Sequence, residues 1–351
     1  IEGFLEGEDC LATLAALAAM GIAIERKGPG SLRIRGAGIG GLQAPAAALD
    51  LGNSGTSMRL FAGLLAGQGF DAVLVGDASL MSRPMERVAA PLRRMGADVT
   101  TRDGRPPIII RGHRRLHAED HRLEVPSAQV KSALLLAGLQ ADGRTVVREP
   151  APSRDHTERM LRAFGVPVEA LEGAVAVQGR ARPQATHIRV PGDFSSAAFF
   201  LVAALIVGRE PLRIRNVGVN PTRAALLDIL RLMGADIRVL ALEDAAGEPR
   251  ADLEVHPGPL RGIVVPESLV PIAMDELPVL FAAAAVAEGE TVVTGAGELR
   301  VKESDRLAAM GEGLAALGVQ VAAGPDGLRV QGGAVGGGQV DSRGDHRIAM
   351  T

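Results

Sequence analysis

One pattern recurs five times along the chain and narrows what it can fold into. Apolar residues at helical spacing lead to a bulky residue, then a glycine, then an alternating apolar stretch. The instances are Leu14 to Ile24 around Met20-Gly21, Leu92 to Val99 around Met95-Gly96, Leu161 to Val168 around Phe164-Gly165, Ile229 to Val239 around Met233-Gly234, and Leu314 to Val321 around Leu317-Gly318. The glycines lie 75, 69, 69 and 84 residues apart. A glycine just past a helix takes the left-handed conformation that ends it, and β-branched alternation beyond it suits a strand. The chain thus reads as one supersecondary unit used repeatedly.

A second element interleaves with the first: a short polar cluster opens a strongly apolar helix. It appears at Asn53-Ser54-Gly55-Thr56, Ser127-Ala128-Gln129, Asp193-Phe194-Ser195-Ser196, Asp275-Glu276 and Asp345-His346-Arg347. Each cluster has N-cap chemistry. The helices that follow are apolar on nearly every face and are expected inside, with the amphipathic ones outside. One unit is a buried helix, an amphipathic helix and several strands in about 70 residues. Three units per domain place the boundary near Val190-Pro191-Gly192, giving domains 1–190 and 191–351 in an α/β fold. The first domain then lacks its N-terminal part and the second its last unit, so the expectation is a fragment.

If equivalent buried helices run parallel within a domain, several N-termini point the same way, each with roughly half a positive charge and unsatisfied N–H groups. That makes an anion site, and two such domains facing each other would form a cleft for phosphates and carboxylates. Taken singly, each opening reads first as a plain cap. Composition removes other ligands. The 38 Lys+Arg against 41 Asp+Glu give a net charge of −3, which draws neither nucleic acid nor an anionic membrane. With no Trp, no Tyr and 8 Phe, the chain has almost no surface for stacking bases. A single cysteine, Cys10, excludes an internal disulfide, and no Cys/His cluster has metal-ligand spacing. No run reaches the 18 or so apolar residues of a membrane span. The chain reads as a cytosolic, metal-free protein.

Candidate cations recur beside the polar openings: Arg59, Arg83, Lys131, Arg154, Lys302, Arg306 and Arg347. Arginine suits bidentate phosphate and carboxylate binding, although each of these taken alone reads first as a surface charge or an ion-pair partner. Lys302 and Arg306, at i and i+4, would repel on one helical face unless an anion lies between them. Asp275 reads equally as the N-cap of an apolar helix or as a general base, with Glu303 a second titratable group in the same cleft. His156 and His346 could be acid/base groups, but a lone histidine is more often structural. Gly36 to Gly41 matches a dinucleotide-binding pattern formally, yet Pro45 interrupts the helix such a site needs, so the run reads as a turn. Gly336-Gly337-Gly338 reads as a hairpin loop.

Seven blocks in order then carry a resemblance: Leu51 to Arg59, Arg83-Pro84-Met85, Ser127 to Ser132, Arg154-Asp155-His156-Thr157-Glu158, Asn220-Pro221-Thr222-Arg223, Val301 to Leu307 and Asp345 to Met350. Together they resemble the 5-enolpyruvylshikimate-3-phosphate synthase family essentially end to end. The resemblance implies two domains of three repeated α/β units each, the inside-out α/β barrel of the enolpyruvyl transferases, with the active site in the interdomain cleft. It implies transfer of the enolpyruvyl group of phosphoenolpyruvate to the 5-hydroxyl of shikimate 3-phosphate, releasing phosphate, on the shikimate route to chorismate and the aromatic amino acids. The family uses neither metal nor cofactor, and a monomer is expected.

By the same resemblance, Ser127, Gln129, Arg154, Asp275 and Lys302 would bind shikimate 3-phosphate. Asn53, Gly55, Arg83, Gln129, Arg306 and Arg347 would line the phosphoenolpyruvate site. Asp275, Glu303 and Lys302 form the implied catalytic set, with Asp275 accepting the hydroxyl proton and Glu303 handling the proton at the methylene carbon. The family's N-terminal Lys-Ser motif and its C-terminal Lys are not among the residues present, so the resemblance implies a chain that is inactive or severely impaired alone. Ser127-Ala128-Gln129 and Arg154 to Thr157 look like the glyphosate-tolerant subgroup, whereas Gly55 leaves room for that inhibitor, so tolerance stays open. Two alternatives stand beside this reading. The sister UDP-N-acetylglucosamine enolpyruvyl transferase normally uses a loop cysteine, for which Cys10 is misplaced. A noncatalytic anion-binding module would not explain Asp275, Lys302 and Glu303 together.

Overall fold

A computed structural model describes residues 1–112, 115–245 and 247–351, and the chain divides into two compact units, Ile1–Val190 and Pro191–Thr351. The first unit runs α1 (Glu8–Ala19), β1 (Ala23–Gly28), β2 (Ser31–Arg35), β3 (Leu49–Asp50), α2 (Gly55–Leu65), β4 (Ala72–Val75), α3 (Ala78–Met81) and α4 (Glu86–Arg94). It continues with β5 (Asp98–Arg102), β6 (Arg105–Arg111), β7 (Asp120–Arg122), α5 (Ala128–Gly138), β8 (Arg144–Arg148), α6 (His156–Ala163), β9 (Val168–Leu171) and β10 (Ala174–Gln178). The second unit has α7 (Phe194–Val207), β11 (Leu212–Gly218), α8 (Ala225–Leu232), β12 (Asp236–Ala245), β13 (Glu248–His256), α9 (Leu277–Val286) and β14 (Glu290–Val293). It closes with α10 (Arg306–Ala316), β15 (Gln320–Ala323), β16 (Leu328–Gln331) and α11 (His346–Met350), and short 3₁₀ turns occupy Met274–Glu276 and Gly297–Val301.

The five amphipathic helices α1, α4, α6, α8 and α10 end alike. Gly21, Gly96, Gly165, Gly234 and Gly318 all have positive φ, between 75° and 97°. The next N–H donates to the carbonyl five residues back: Ile22 to Leu17, Ala97 to Leu92, Val166 to Leu161, Ala235 to Leu230 and Val319 to Leu314, at 2.9 to 3.1 Å. This is the Schellman closure, and only glycine enters its left-handed position without steric cost. The carbonyl just before each glycine then accepts from a later segment, from Gln43, His117, Gln184, Arg261 and Gly336 in turn. The last of these corrects the reading of the Gly336 run as a hairpin loop. The β15–β16 turn lies at 324–327, and a Cβ at Gly338 would stand 2.6 Å from the Ala316 carbonyl oxygen. The glycines let the backbone lie against the end of α10 instead. The earlier glycine run after β2 leads into no helix through residue 48.

The sheets repeat as faithfully. Orders β3-β4-β6-β5 and β7-β8-β10-β9 each begin with a parallel pair and continue antiparallel. In the second unit β11-β13-β12 and β14-β16-β15 keep the antiparallel part, and single parallel bridges, Gly192 to Val217 and Val264 to Val292, replace the first strand. A parallel step needs a crossover, which α2, α5, α7 and α9 supply. Between α2 and α5 the approach is so close that a Cβ at Gly63 would lie 2.0 Å from the Ala133 carbonyl oxygen. Helix α5 is buried along most of its length, as its composition demands. Helix α7 departs from the expectation of burial on every face: Ser196, Phe200, Ala203 and Val207 form an exposed stripe, with Phe200 63% exposed. Its other face, with Ala198, Leu201 and Leu205, enters the second unit's core. Among the described residues, no helix is long and apolar enough to cross a membrane.

Candidate active site

In the first unit the site grows from the start of α2. Ser54, not Asn53, caps this helix, its Oγ accepting from the Ser57 N–H at 3.2 Å. Asn53 is thereby released to join Asp77 and Arg83: its Nδ2 donates to Asp77 Oδ2 at 2.6 Å, and its Oδ1 accepts from Arg83 Nη2. One turn into α2, Arg59 donates from Nη1 to the Gly55 carbonyl at 3.1 Å and to Gln129 Oε1 at 2.8 Å, and from Nη2 to the Pro84 carbonyl at 3.2 Å. Gln129 closes the link by donating to Thr56 Oγ1 at 2.8 Å. The first turns of α2 and α5 are thus held together through side chains that the sequence had placed 70 residues apart.

Two guanidiniums converge here. A Cβ on Gly55 would lie 2.9 Å from Arg59 Nη1 and 3.0 Å from Arg83 Nη1. The hydrogen bonds named for both arginines go to neutral acceptors, so their charges are available to an anion. Burial, followed by the charges of Arg83 and Arg87, pushes the Arg59 pKa below its ordinary value. Ser127 caps α5, accepting from the Val130 N–H at 3.4 Å, which puts it beside Gln129. Arg154 lies half-buried in the loop before α6.

Lys131, counted among the candidate cations, belongs to the interior instead. It is 3% exposed and pairs with Glu149 Oε2 at 2.7 Å and Glu158 Oε1 at 2.8 Å. Burial opposes its charge, but the two carboxylates outweigh it and raise the lysine pKa. The Ser153 hydroxyl also donates to Glu149, and Ser132 and Thr157 share a hydrogen bond at 2.6 Å. These contacts fasten the 149–158 segment, with Arg154 in it, to the helix carrying Ser127 and Gln129.

The second unit builds its site around Asp275. This residue is no helix cap: it lies in the 3₁₀ turn before α9, the cap position belongs to Glu276, and no side chain caps there. Its carboxylate is ringed instead by Arg223 Nη1 at 3.7 Å, Arg306 Nη1 at 3.8 Å, Lys302 Nζ at 4.0 Å and Arg347 Nη2 at 4.0 Å. Lys302 and Arg306 do not share a helical face. Lys302 has extended backbone after the second 3₁₀ turn, and α10 starts only at Arg306 behind the Asp305 cap. Arg306 is 1% exposed, with Nε and Nη2 on the two oxygens of Asp345 at 2.8 and 3.2 Å, and Nη2 also reaches Glu303 Oε2 at 2.7 Å. Nη1 of this guanidinium faces Asp275 at 3.8 Å. His346 is exposed at the start of α11.

Beneath Asp275 lies a group that sequence reasoning passed over. Glu276, 1% exposed, accepts from Ser195 Oγ at 2.5 Å and from Arg223 Nη1 at 3.2 Å. Burial raises its pKa, opposed by Arg223, Ser195 and Arg347. Its only signal in the sequence was a second acidic residue at the head of an apolar helix. Asp345 is likewise more than a helix cap. Burial pushes its carboxyl up, but hydrogen bonds from Arg306 and the Arg347 N–H, the Arg306 charge and Ser304 leave it below its ordinary value.

The first unit therefore gathers Asn53, Gly55, Arg83 and Gln129, and the second Asp275, Lys302, Glu303, Arg306 and Arg347. Comparison with known proteins bears on the chain as a whole. The family profile described as EPSP synthase (3-phosphoshikimate 1-carboxyvinyltransferase) matches residues 1–351. A 3-phosphoshikimate 1-carboxyvinyltransferase of Methylococcus capsulatus is 58% identical over 352 residues, covering 100% of this chain and 80% of the relative. One of Legionella pneumophila is 53% identical over 351 residues, covering 100% of this chain and 81% of the relative. A solved structure of EPSP synthase from Acinetobacter baumannii matches with a TM-score of 0.92 at 50% identity, covering 99% of this chain and 81% of that one. The architecture is the two-domain α/β fold of the enolpyruvyl transferases. A family match from the first residue to the last, high identity and a shared backbone lead to one assignment: the chain belongs to the EPSP synthase family.

Proposed function

We propose that the protein transfers the enolpyruvyl group of phosphoenolpyruvate to the 5-hydroxyl of shikimate 3-phosphate, releasing phosphate, as a cytoplasmic monomer. Ile1–Val190 and Pro191–Thr351 are read as parts of the first and second enolpyruvyl transferase domains. The observation that carries the proposal is the ring of four cations within 4.0 Å of one carboxylate, Asp275. Both substrates are anions bearing phosphate and carboxylate, and prearranged cations stabilise the charge that moves between them. The names of the relatives do not favour the UDP-N-acetylglucosamine reading.

In this reading Ser127, Gln129 and Arg154 hold shikimate 3-phosphate, with Asp275 and Lys302. Phosphoenolpyruvate meets Arg83, Gln129, Asn53 and the bare Cα of Gly55, together with Arg306 and Arg347. Asp275 accepts the proton of the attacking hydroxyl as its oxygen bonds to C2 of phosphoenolpyruvate. The methylene carbon takes a proton from the Glu303 carboxyl, giving a tetrahedral ketal. Return of a methyl proton to Glu303 and departure of phosphate, which carries away the proton held by Asp275, then restore the double bond. Lys302 neutralises charge developing beside Asp275. A positioned general base contributes roughly 10²- to 10⁴-fold to rate, so Asp275→Asn should lose that much in phosphate release by the intact protein with both substrates present. Wild-type turnover in Asp275→Asn would overturn the assignment of the base.

A further inference from the structure

Arg347 is held unlike its neighbour Arg306. Its hydrogen bonds go to two neutral acceptors, from Nη1 to the Asp275 main-chain carbonyl at 3.0 Å and from Nη2 to Ser195 Oγ at 3.3 Å. The nearest carboxylate oxygens, Glu276 Oε1 at 3.8 Å and Asp275 Oδ2 at 4.0 Å, lie beyond hydrogen-bond reach. Ser195 is the hub of this arrangement. A hydroxyl has one proton to donate and two lone pairs. Here the proton goes to Glu276, and the lone pairs accept from Arg347 Nη2 and Arg223 Nη2. Both guanidiniums can only donate, so the hydroxyl's single hydrogen points to Glu276 and its lone pairs face the two arginines.

We propose that Glu276, acting through the Ser195 hydroxyl, is a positioning residue that fixes Arg347 for the carboxylate or phosphate of phosphoenolpyruvate. The carboxylate holds the hydroxyl and the hydroxyl holds the guanidinium, so Arg347 is oriented by hydrogen bonds to neutral acceptors, with the Glu276 and Asp275 carboxylates only in longer-range contact at 3.8 and 4.0 Å. The two side chains come from elements 81 residues apart, and neither need touch substrate. This inference rests on the enolpyruvyl-transfer reading for the identity of the anion.

The test is steady-state kinetics of Ser195→Ala, Ser195→Thr and Glu276→Gln in the intact protein, with thermal melting of each. Ser195→Ala should raise KM for phosphoenolpyruvate about tenfold, corresponding to about 1.4 kcal/mol, while kcat and KM for shikimate 3-phosphate stay within about twofold. Ser195→Thr, which keeps the hydroxyl, should restore most of the loss, and Glu276→Gln should show the same split as Ser195→Ala. An unchanged KM for phosphoenolpyruvate in Ser195→Ala overturns the proposal, whether or not Glu276→Gln folds. So does a loss in every parameter that merely follows the folded fraction. If the wild type gives no turnover, the enolpyruvyl-transfer reading fails separately, and calorimetric titration with phosphoenolpyruvate decides this one. Tenfold weaker binding by Ser195→Ala supports it, whereas equal binding, or none by the wild type, sinks it.

Discussion

Arg306 and Asp345 form a buried two-point ion pair, Nε to Oδ2 at 2.8 Å and Nη2 to Oδ1 at 3.2 Å, with both side chains at most 1% exposed. Removing one partner strands the other charge in the interior, which costs about 3–5 kcal/mol. Asp345→Ala should therefore lower unfolding stability by that order in denaturant titrations at pH 7. The sign with pH follows from the depressed carboxyl. Its contribution is fully present above the ordinary value of 3.8 and is lost as pH falls through the lower folded value. The gap between wild type and Asp345→Ala should thus hold from pH 7 to 5 and close on further acidification.

Gly55 lies where the Arg59 and Arg83 guanidiniums converge. A methyl group there would stand 2.9 and 3.0 Å from their nearest nitrogens, so both must give by a few tenths of an ångström. Gly55→Ala should raise KM for phosphoenolpyruvate severalfold and Ki for glyphosate by a larger factor, because the longer anion needs more of the space taken. Parallel inhibition titrations of wild type and variant measure the two shifts, and an equal change in both would rule out a steric discrimination.

The helix ends were legible because they are local: the left-handed turn at Gly21 or Gly96 requires nothing from distant residues. The cations were legible as a class but not one by one. Lys131 and Lys302 stand in similar polar openings, yet Glu149 and Glu158 meet Lys131 only through tertiary packing, while Lys302 reaches Asp275. Asp275 looked like a cap because caps and bases are both acidic residues at helix starts. Its place is set by arginines on other elements, one of them 72 residues further along. Ser195 and Ser196 could not be told apart, since only the first turns inward to meet Glu276.

The interior group of Lys131, Glu149 and Glu158 has two acidic partners for one ammonium, and among the described residues Glu158 Oε2 has no hydrogen-bond partner. Lys131→Met would leave two carboxylates facing each other without a counter-charge and should cost about 3–5 kcal/mol at pH 7. Adding Glu158→Gln should return a large share of that loss, since it removes one of the stranded charges. Denaturant midpoints of the wild type, both single variants and the double variant give the coupling between the two sites. Strict additivity would show that the triad does not act as a unit.

His121 on β7 is fully buried, with Arg94 Nη2 3.3 Å from its Nδ1 and, among the described residues, no hydrogen-bond partner for its Nε2. Burial first, and then the Arg94 charge, push its pKa from 6.5 to about 4. The folded state thus binds this proton less readily than the unfolded chain. Its depressed pKa costs nothing above the unfolded value, and stability falls as pH drops from about 6.5 towards 4. A shift of this size corresponds to on the order of 3 kcal/mol once the lower value is passed. His121→Gln removes the titration while keeping a polar side chain. The difference in unfolding free energy between wild type and His121→Gln should move in the variant's favour between pH 7 and 4, while the carboxylates common to both chains cancel. A difference that stays flat over that range would mean that His121 takes up its proton in the folded state as easily as in the unfolded one.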